Sequence, residues 1–196
     1  MARSGILVVI SAPSGAGKLT LINKVRETEH RLMTTVSATT RAPRAGEADG
    51  KDYHFLDRAT FEARIAAGDF VEWAEVHGNL YGTLASELDR CLNSDHDVIL
   101  ELDVQGMRNL RARRTDLVTV FLMPPSMEEL ERRLRFRGTD DDDVIALRLR
   151  NARDEMAARH AFDYIIVNDD LDLAAGDMAA ILRAERCRAF RQPEEL

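Results

Sequence analysis

Residues 11–18 read Ser-Ala-Pro-Ser-Gly-Ala-Gly-Lys and combine a glycine-rich turn with one lysine. They follow an apolar run, residues 6–10, and precede a helix-compatible stretch, residues 21–25. Between a strand and a helix, the backbone N–H groups of such a turn point into one concavity, and the helix N-terminus adds its positive dipole end. Lys18 supplies a full positive charge toward terminal phosphates. The segment therefore predicts a phosphate-binding loop and a nucleotide-dependent enzyme.

The loop departs from the pattern G-x-x-x-x-G-K-[ST] at two positions. Ala12 stands in place of the first glycine, and Leu19 stands in place of the serine or threonine. The hydroxyl at the second position commonly ligates Mg²⁺. Thr20 lies one residue later, about 100° further round a helix, and is a weak candidate metal ligand. We expect ATP to contact the whole loop: Ala12, Pro13, Ser14, Gly15, Ala16, Gly17, Lys18, Leu19 and Thr20.

The bulk composition excludes several functional classes. The chain has 196 residues, 45% hydrophobic and 31% charged, which fits one compact α/β domain of an ordinary globular protein. Its net charge of −7 disfavours a nucleic-acid binder that neutralises phosphates. The two cysteines lack CxxC spacing, so neither a metal site nor a disulfide framework is expected, and a reducing cytoplasm suits them. The first apolar run is too short to span a membrane, and no signal peptide is recognised.

Four apolar runs show no clean alternation, which predicts strands buried on both faces. They are residues 5–10, 98–102, 117–123 and 164–167. Helix-compatible segments separate these runs, so we expect an α/β fold with a parallel sheet covered by helices. Residues 37–90 interrupt the pattern and predict an insertion with its own small sheet. Residues 126–160 carry helical arginines around a glycine break and predict a lid that closes over phosphates.

A second group of polar residues begins at Ser37. A serine hydroxyl, two arginines spaced by three (Arg41 and Arg44) and the hydroxyl of Tyr53 can converge on one phosphate, since arginine forks bind phosphate oxygens in pairs. Further along the chain come Glu72, then Gly-Asn-Leu-Tyr-Gly-Thr at 78–83 and Glu-Leu-Asp-Val-Gln-Gly at 101–106.

Taken together, these segments closely resemble the guanylate kinase family over nearly the whole chain. The shared motifs are the phosphate loop, TTRxPRxGExxGxxYxF, YGT, LDVQG, the PPS start of a helix, the RGT lid turn and the VNDD segment near the end. The resemblance implies transfer of the γ-phosphoryl group of ATP to GMP, with Mg²⁺ as cofactor. It also implies a single P-loop kinase domain over residues 1–196. The core would comprise residues 1–36, 91–125 and 161–196, the GMP-binding region residues 37–90 with a small mixed sheet, and the helical lid residues 126–160.

The resemblance also assigns roles to individual side chains. It places the GMP phosphate against Ser37, Arg41, Arg44, Tyr53 and Tyr81. It places guanine and its surroundings against Glu72, Thr83 and Asp103, and adenine near Asn168. It implies four catalytic residues, Lys18, Arg44, Arg137 and Arg148, with Arg133 as a weaker candidate.

The chemistry of guanine agrees with this assignment. Guanine presents N1–H and an N2 amino group as adjacent donors, so a carboxylate such as Glu72 accepts from both while Thr83 donates to O6. Adenine would leave that carboxylate unpaired, which costs about 10⁴-fold in selectivity.

Two alternatives remain open from the sequence. One is a small P-loop kinase with a different acceptor, which the combination of Glu72 and Thr83 disfavours. The other is a catalytically inactive, guanylate-kinase-like interaction domain that keeps the GMP side and loses the ATP loop. Retention of Gly15, Gly17, Lys18, Arg137 and Arg148 argues against it, whereas Leu19 keeps this alternative open. The expected partners are GMP and ATP alone, without nucleic acid or membrane, and the sequence does not specify the oligomeric state.

Overall fold

The computed structural model describes residues 5–44, 46–76, 78–93, 96–136, 138 and 141–192. Within these residues the strands are β1 (Leu7–Ser11), β2 (Leu32–Thr34), β3 (Ala38–Thr39), β4 (His54–Phe55), β5 (Phe70–Val76), β6 (Asn79–Leu84), β7 (Asp97–Glu101), β8 (Leu117–Met123) and β9 (Tyr164–Val167). The α-helices are α1 (Lys18–Arg26), α2 (Arg58–Ala67), α3 (Ala85–Leu92), α4 (Val104–Arg113), α5 (Met127–Phe136), α6 (Asp142–Ala157) and α7 (Leu171–Arg186). No helix in these ranges is both long enough and apolar enough to span a bilayer.

The larger sheet is parallel, with the strand order β2-β7-β1-β8-β9. Helices α1 and α7 pack on one face and α3 and α4 on the other, which confirms the predicted helix-covered parallel sheet. The prediction that these strands are buried on both faces is confirmed for β1 and β8. The same prediction is wrong for β9, because this edge strand leaves Ile165 and Val167 exposed. Strand β2 was not predicted, since its three residues are too short for a periodic signal.

The smaller sheet is mixed and has the order β4-β3-β6-β5. Strands β3 and β4 pair in parallel, whereas β6 runs antiparallel to both β3 and β5. Its own apolar cluster includes Phe61 of α2 and Phe70 of β5, whose rings stack with centroids 4.3 Å apart. The predicted inserted sheet is therefore present, and it stands beside the carboxyl end of the larger sheet.

Helices α5 and α6 form the segment predicted as a lid. They pack together through Leu130, Leu134 and Ala152. The carboxylate of Asp141 caps α6 by accepting from the Val144 N–H at 2.9 Å, which is a favourable use of negative charge at a helix N-terminus. The two leucines of α5 also lie against the phosphate loop, as described below.

Candidate functional site

The phosphate loop joins the central strand β1 to α1. Gly15 and Gly17 adopt φ values of +95° and +93°, a region that side chains rarely occupy. A Cβ atom at Gly15 would stand 3.0 Å from the Leu134 side chain, and one at Gly17 would stand 2.6 Å from Nδ2 of Asn168. The two glycines are therefore required both by backbone conformation and by the close approach of α5 and Asn168.

A cavity of about 380 Å³ opens above this loop. Of the nine loop residues predicted to contact ATP, eight line it: Ala12, Pro13, Ser14, Gly15, Gly17, Lys18, Leu19 and Thr20. Ala16 is fully buried beneath the loop, and its carbonyl accepts from Asn168 Nδ2 at 2.7 Å. The loop thus faces the cavity with its glycines and its lysine, while Asn168 supports it from below.

Two glutamates complete the wall of this cavity. Glu101, at the end of β7, places Oε2 3.5 Å from Lys18 Nζ. Glu155 comes from α6, and burial chiefly raises its pKa, with the charge of Asp103 adding to the effect and Lys18 opposing it. Sequence reasoning missed Glu155 because no motif contains it. Its spacing of seven residues from Arg148, which puts both on one face of α6, was the available signal.

The oxygen-containing side chains around the cavity suit a hard divalent cation. Thr20, Glu101 and Glu155 all line it, and Mg²⁺ prefers oxygen ligands. Leu19 supplies no side-chain oxygen, and this residue of the cavity wall is 61% exposed. Among the described residues, no cluster of three or more His, Cys, Asp or Glu forms a protein-only metal site. A cation here would take most of its ligands from phosphate and water.

A second cavity, of about 320 Å³, lies on the other side of the loop, between α5 and the start of α7. Arg133, Phe136, Asn168 and Leu171 line it. Arg133 is held by Glu129 at 2.8 Å and donates to the backbone carbonyl of Asn168 at 3.0 Å. The nearly fully exposed ring of Phe136 was not identified from the sequence. The cavity has an apolar wall and a polar floor, which suits a heterocyclic base.

Asn168 is expected to be important for stability as well as for this cavity. Replacing Asn168 with alanine removes the bond to the buried Ala16 carbonyl, and we expect the free energy of unfolding to fall by about 1–3 kcal/mol. Urea denaturation followed by circular dichroism measures the change. Asn151→Ala, on the exposed face of α6, is the matched control and should stay within about 0.5 kcal/mol of the parent chain. Equal effects of the two substitutions would contradict the supporting role of Asn168.

A third cavity, of about 320 Å³, lies between the two sheets. Of the residues predicted to bind GMP, it brings together Ser37, Tyr53, Glu72, Tyr81 and Asp103. The Tyr53 and Tyr81 rings meet edge to face at 6.1 Å, and burial chiefly raises the pKa of Tyr53. Lys18 and Glu101 line this cavity as well as the one above the loop. The two cavities therefore meet at the carboxyl edge of the larger sheet.

Glu72 and Thr83 form a pair on neighbouring strands of the smaller sheet. The buried hydroxyl of Thr83 donates its single proton to Oε1 of Glu72 at 2.9 Å. Thr83 does not line the cavity, so in this structure it orients Glu72 and does not offer the predicted donor to guanine O6. Burial raises the pKa of Glu72, and the nearby Asp103 charge raises it further, while the Thr83 bond lowers it. Asp103 is fixed as the cap of α4, where its Oδ1 accepts from the Gly106 N–H at 2.6 Å. The cavity thus presents an oriented carboxylate whose charged form has few partners.

The two arginines predicted beside the GMP phosphate do not line this cavity. Arg41 Nη2 donates to both oxygens of Glu47, at 2.8 and 2.9 Å, and its guanidinium lies 5.4 Å from the centroid of the Tyr53 ring. The same Glu47 accepts from the backbone N–H of Arg44 at 2.7 Å, and the Arg44 side chain is exposed. Glu47 is part of the TTRxPRxGE block, so its position was visible in the sequence although no role was assigned to it.

The lid arginines occupy different positions. Arg148 Nη1 donates to Ser14 Oγ at 3.4 Å, so it reaches the phosphate loop from α6. Arg137, the other predicted lid residue, lies outside the described residues. Arg135 is half-exposed and pairs with Glu131 and Asp142.

Comparisons with known proteins show which family the chain resembles. The family model described as "Guanylate kinase" matches residues 4–185. The chain is 50% identical over 190 residues to the guanylate kinase of Aromatoleum aromaticum, covering 97% of this chain and 93% of that protein. It is 48% identical over 191 residues to the guanylate kinase of Geobacter metallireducens, covering 97% of this chain and 94% of that protein.

Solved structures show the same likeness. A crystal structure of guanylate kinase from Anaplasma phagocytophilum superimposes with a TM-score of 0.77 at 37% identity, covering 97% of this chain and 90% of that one. A shikimate kinase structure from Bacteroides thetaiotaomicron gives a TM-score of 0.51 at 14% identity, covering 91% and 98% of the two chains. That more distant likeness concerns the fold alone.

Proposed function

The chain belongs to the guanylate kinase family, and we propose that it transfers the γ-phosphoryl group of ATP to the phosphate of GMP, giving ADP and GDP. The observation that carries the proposal is the position of Lys18, which lines both the cavity above the phosphate loop and the cavity between the sheets. A phosphoryl group passing from one nucleotide to the other would cross the space beside its ammonium group.

The proposed mechanism depends on alignment and charge neutralisation. Phosphoryl transfer leaves little covalent chemistry for the protein, and the GMP phosphate attacks already ionised, so no general base is required. Lys18 and Arg148 neutralise charge on the donor phosphates from the loop and from α6, and Arg137 is a further candidate on sequence grounds. When bound, Mg²⁺ would draw charge from the donor phosphates, with the Thr20 hydroxyl and Glu101 as the available protein oxygens. ATP itself would place its base beside Arg133, Phe136 and Asn168.

The acceptor is selected by the cavity between the sheets. Glu72 would accept from N1–H and the N2 amino group of guanine, with Thr83 and Asp103 holding the geometry around it. Ser37, Tyr53 and Tyr81 would contact the GMP phosphate. Arg41 and Arg44 would join them after a movement of the Glu47 segment, since neither guanidinium lines the cavity in this structure. A closing movement of this kind also excludes water from the reaction.

We further propose a cytoplasmic location and small-molecule substrates alone. Neither Cys91, which is buried, nor Cys187, which is exposed, forms a disulfide, and this suits a reducing compartment. The boundaries of the GMP-binding region (37–90) and the lid (126–160) are part of the same proposal.

The function is tested by ADP formation from ATP and Mg²⁺ with GMP, in parallel with AMP, CMP, UMP and no acceptor. We expect turnover selective for GMP. Selective turnover with another acceptor would favour a different P-loop kinase. Absence of turnover with every acceptor, in protein that binds GMP by calorimetry, would favour an inactive interaction domain.

Leu19 provides a prediction specific to this chain. Leu19→Ser should raise kcat about fivefold, because its hydroxyl would add one polar contact on the Mg²⁺ side of the loop, and a contact of the strength of a hydrogen bond contributes about 1 kcal/mol. The KM for GMP should change little. Steady-state kinetics with each substrate varied in turn measures both constants.

Leu19→Ala is the matched control, because it removes the bulk of leucine without adding a hydroxyl. Equal gains in the two variants would assign the effect to crowding alone. An unchanged or lower kcat in Leu19→Ser would contradict the prediction.

A further inference from the structure

Phe136, the last residue of α5, is the most exposed large apolar side chain in the described part of the chain, at 87%. The other apolar residues of its helix behave differently: Leu130 and Leu134 are fully buried against α6 and the phosphate loop. A single exposed apolar residue is ordinary on a protein surface. This one also lines a cavity, so its position has a consequence for what the cavity can hold.

The cavity beside Phe136 adjoins the cavity above the phosphate loop. Gly15, Gly17 and Thr20 line both of them. A ligand whose phosphates lie on the loop would therefore place the group attached to them between α5 and the start of α7. The volume there is about 320 Å³, within the range of about 300–1,000 Å³ typical of sites for small organic ligands.

Arg133 and Phe136 both face this cavity from α5. They are three residues apart, so they lie on the same side of the helix. Arg133 Nε pairs with Glu129 at 2.8 Å, and its Nη2 donates to the carbonyl of Asn168 at 3.0 Å. These bonds lie along the edge of the guanidinium and fix its plane, whereas stacking uses its face. The cavity is therefore lined by two flat groups from one helix.

Hydrogen-bonding groups at the floor of this cavity are used within the protein. Asn168 Nδ2 donates to the Ala16 carbonyl at 2.7 Å, and the Asn168 carbonyl accepts from Arg133. A base lying here would therefore gain more from contact with its faces than from hydrogen bonds along its edge.

We propose that Phe136 stacks on the base of the phosphoryl donor and that this stacking favours purine over pyrimidine nucleoside triphosphates. The inference rests on the proposed kinase activity, which identifies the ligand of the loop as a nucleotide. Every base has a π face, so stacking on an aromatic side chain does not require one particular base. A bicyclic purine covers more of a phenyl ring than a monocyclic pyrimidine does, so its gain is larger.

The first test is binding calorimetry with ADP, CDP and inorganic tripolyphosphate in the presence of Mg²⁺. In Phe136→Ala the Kd for ADP should rise about tenfold, because base–aromatic stacking contributes on that scale. The Kd for CDP should rise by a smaller factor, and the Kd for tripolyphosphate, which has no base, should not change. Damage to the loop or to α5 would weaken all three ligands equally, and that result would overturn the proposal.

Three further variants separate the aromatic face from other properties of the side chain. Phe136→Tyr keeps the ring and should bind ADP within about twofold of the parent chain, whereas Phe136→Leu keeps apolar bulk without a ring and should not. Phe190→Ala is the matched control, because Phe190 is also exposed, at 67%, and lines neither cavity beside the loop. Its Kd for ADP should equal that of the parent chain.

Fluorescence observes the stacking directly. The chain has one tryptophan, Trp73, so Phe136→Trp in a Trp73→Phe background reports on this position alone. ADP should quench its emission in a saturable manner, while tripolyphosphate should not. Phe190→Trp in the same background should respond to neither ligand.

Steady-state kinetics distinguishes failure of this inference from failure of the proposed function. In Phe136→Ala the KM for ATP should rise about tenfold while the KM for GMP stays unchanged. A parent chain that phosphorylates GMP, with a Phe136→Ala variant that binds ADP equally well, would overturn the stacking alone. A changed oligomeric mass in that variant would then show that a second copy covers the ring. Binding of ADP that depends on Phe136, in a parent chain without phosphotransfer, would contradict the proposed function and support the stacking.

Discussion

Substitution of Lys18 by methionine is expected to lower kcat about 10³-fold while the Kd for GMP changes less than about threefold. Removal of one preorganised charge from a phosphoryl-transfer site costs about 10²–10³ in rate or more. Two features favour the upper part of that range here: Lys18 lines both nucleotide cavities, and its loss leaves Glu101 without its partner at 3.5 Å. Methionine keeps the length of the side chain, so packing of the loop is preserved. Steady-state ADP formation and calorimetry with GMP measure the two quantities.

Lys24→Met is the matched control for this substitution. Lys24 lies on the same helix but pairs with Glu27 and Asp172 at the surface. The kcat of Lys24→Met should therefore stay within about twofold of the parent value. The double variant Lys18→Met/Glu101→Gln should recover part of the lost rate, because the uncompensated carboxylate repels phosphate. A kcat for Lys18→Met within tenfold of the parent would contradict the proposed role of the lysine.

Glu72→Gln is expected to lower kcat/KM for GMP by about 10³–10⁴-fold and to narrow the preference for GMP over AMP. Glutamine replaces one acceptor oxygen by an amide donor, which would face a donor of guanine, and a mispaired buried polar group discriminates by about that factor. The acceptor panel described above measures the change for each nucleotide. Retention of full GMP selectivity in this variant would show that guanine is recognised elsewhere.

Glu75→Gln provides the control on the same strand, because Glu75 is exposed and contacts Arg58 at 3.4 Å. Its kcat/KM for GMP should match that of the parent chain, since an exposed pair contributes little.

The pH dependence of GMP recognition follows from the raised pKa of Glu72. Because the pKa is raised, the carboxylate becomes protonated at a higher pH than an exposed glutamate does, and a protonated carboxyl no longer accepts from both guanine donors. The KM for GMP should therefore rise as the pH falls, beginning above the ordinary titration range of glutamate. Glu72→Gln should lose this acid limb, whereas Glu75→Gln should keep it.

The sequence by itself determined the features that short segments encode. The phosphate loop is contiguous, and the glycines and lysine that form it stand within a few residues between an apolar strand and a helix, so local pattern sufficed. The same holds for the parallel sheet, whose buried strands read as apolar runs separated by helices.

Only the tertiary structure decided which distant residues meet. Glu155 enters the loop cavity because α5 and α6 pack together through Leu130, Leu134 and Ala152. Its spacing from Arg148 shows only that the two share a face of α6, and does not specify what that face contacts. Arg41 is turned toward Glu47, and Arg191 is buried without a carboxylate partner among the residues that the structure describes. Strand β2 exists through pairing with β7. In each case the deciding energy comes from packing and desolvation between segments far apart in the chain, which the local pattern of residues does not contain.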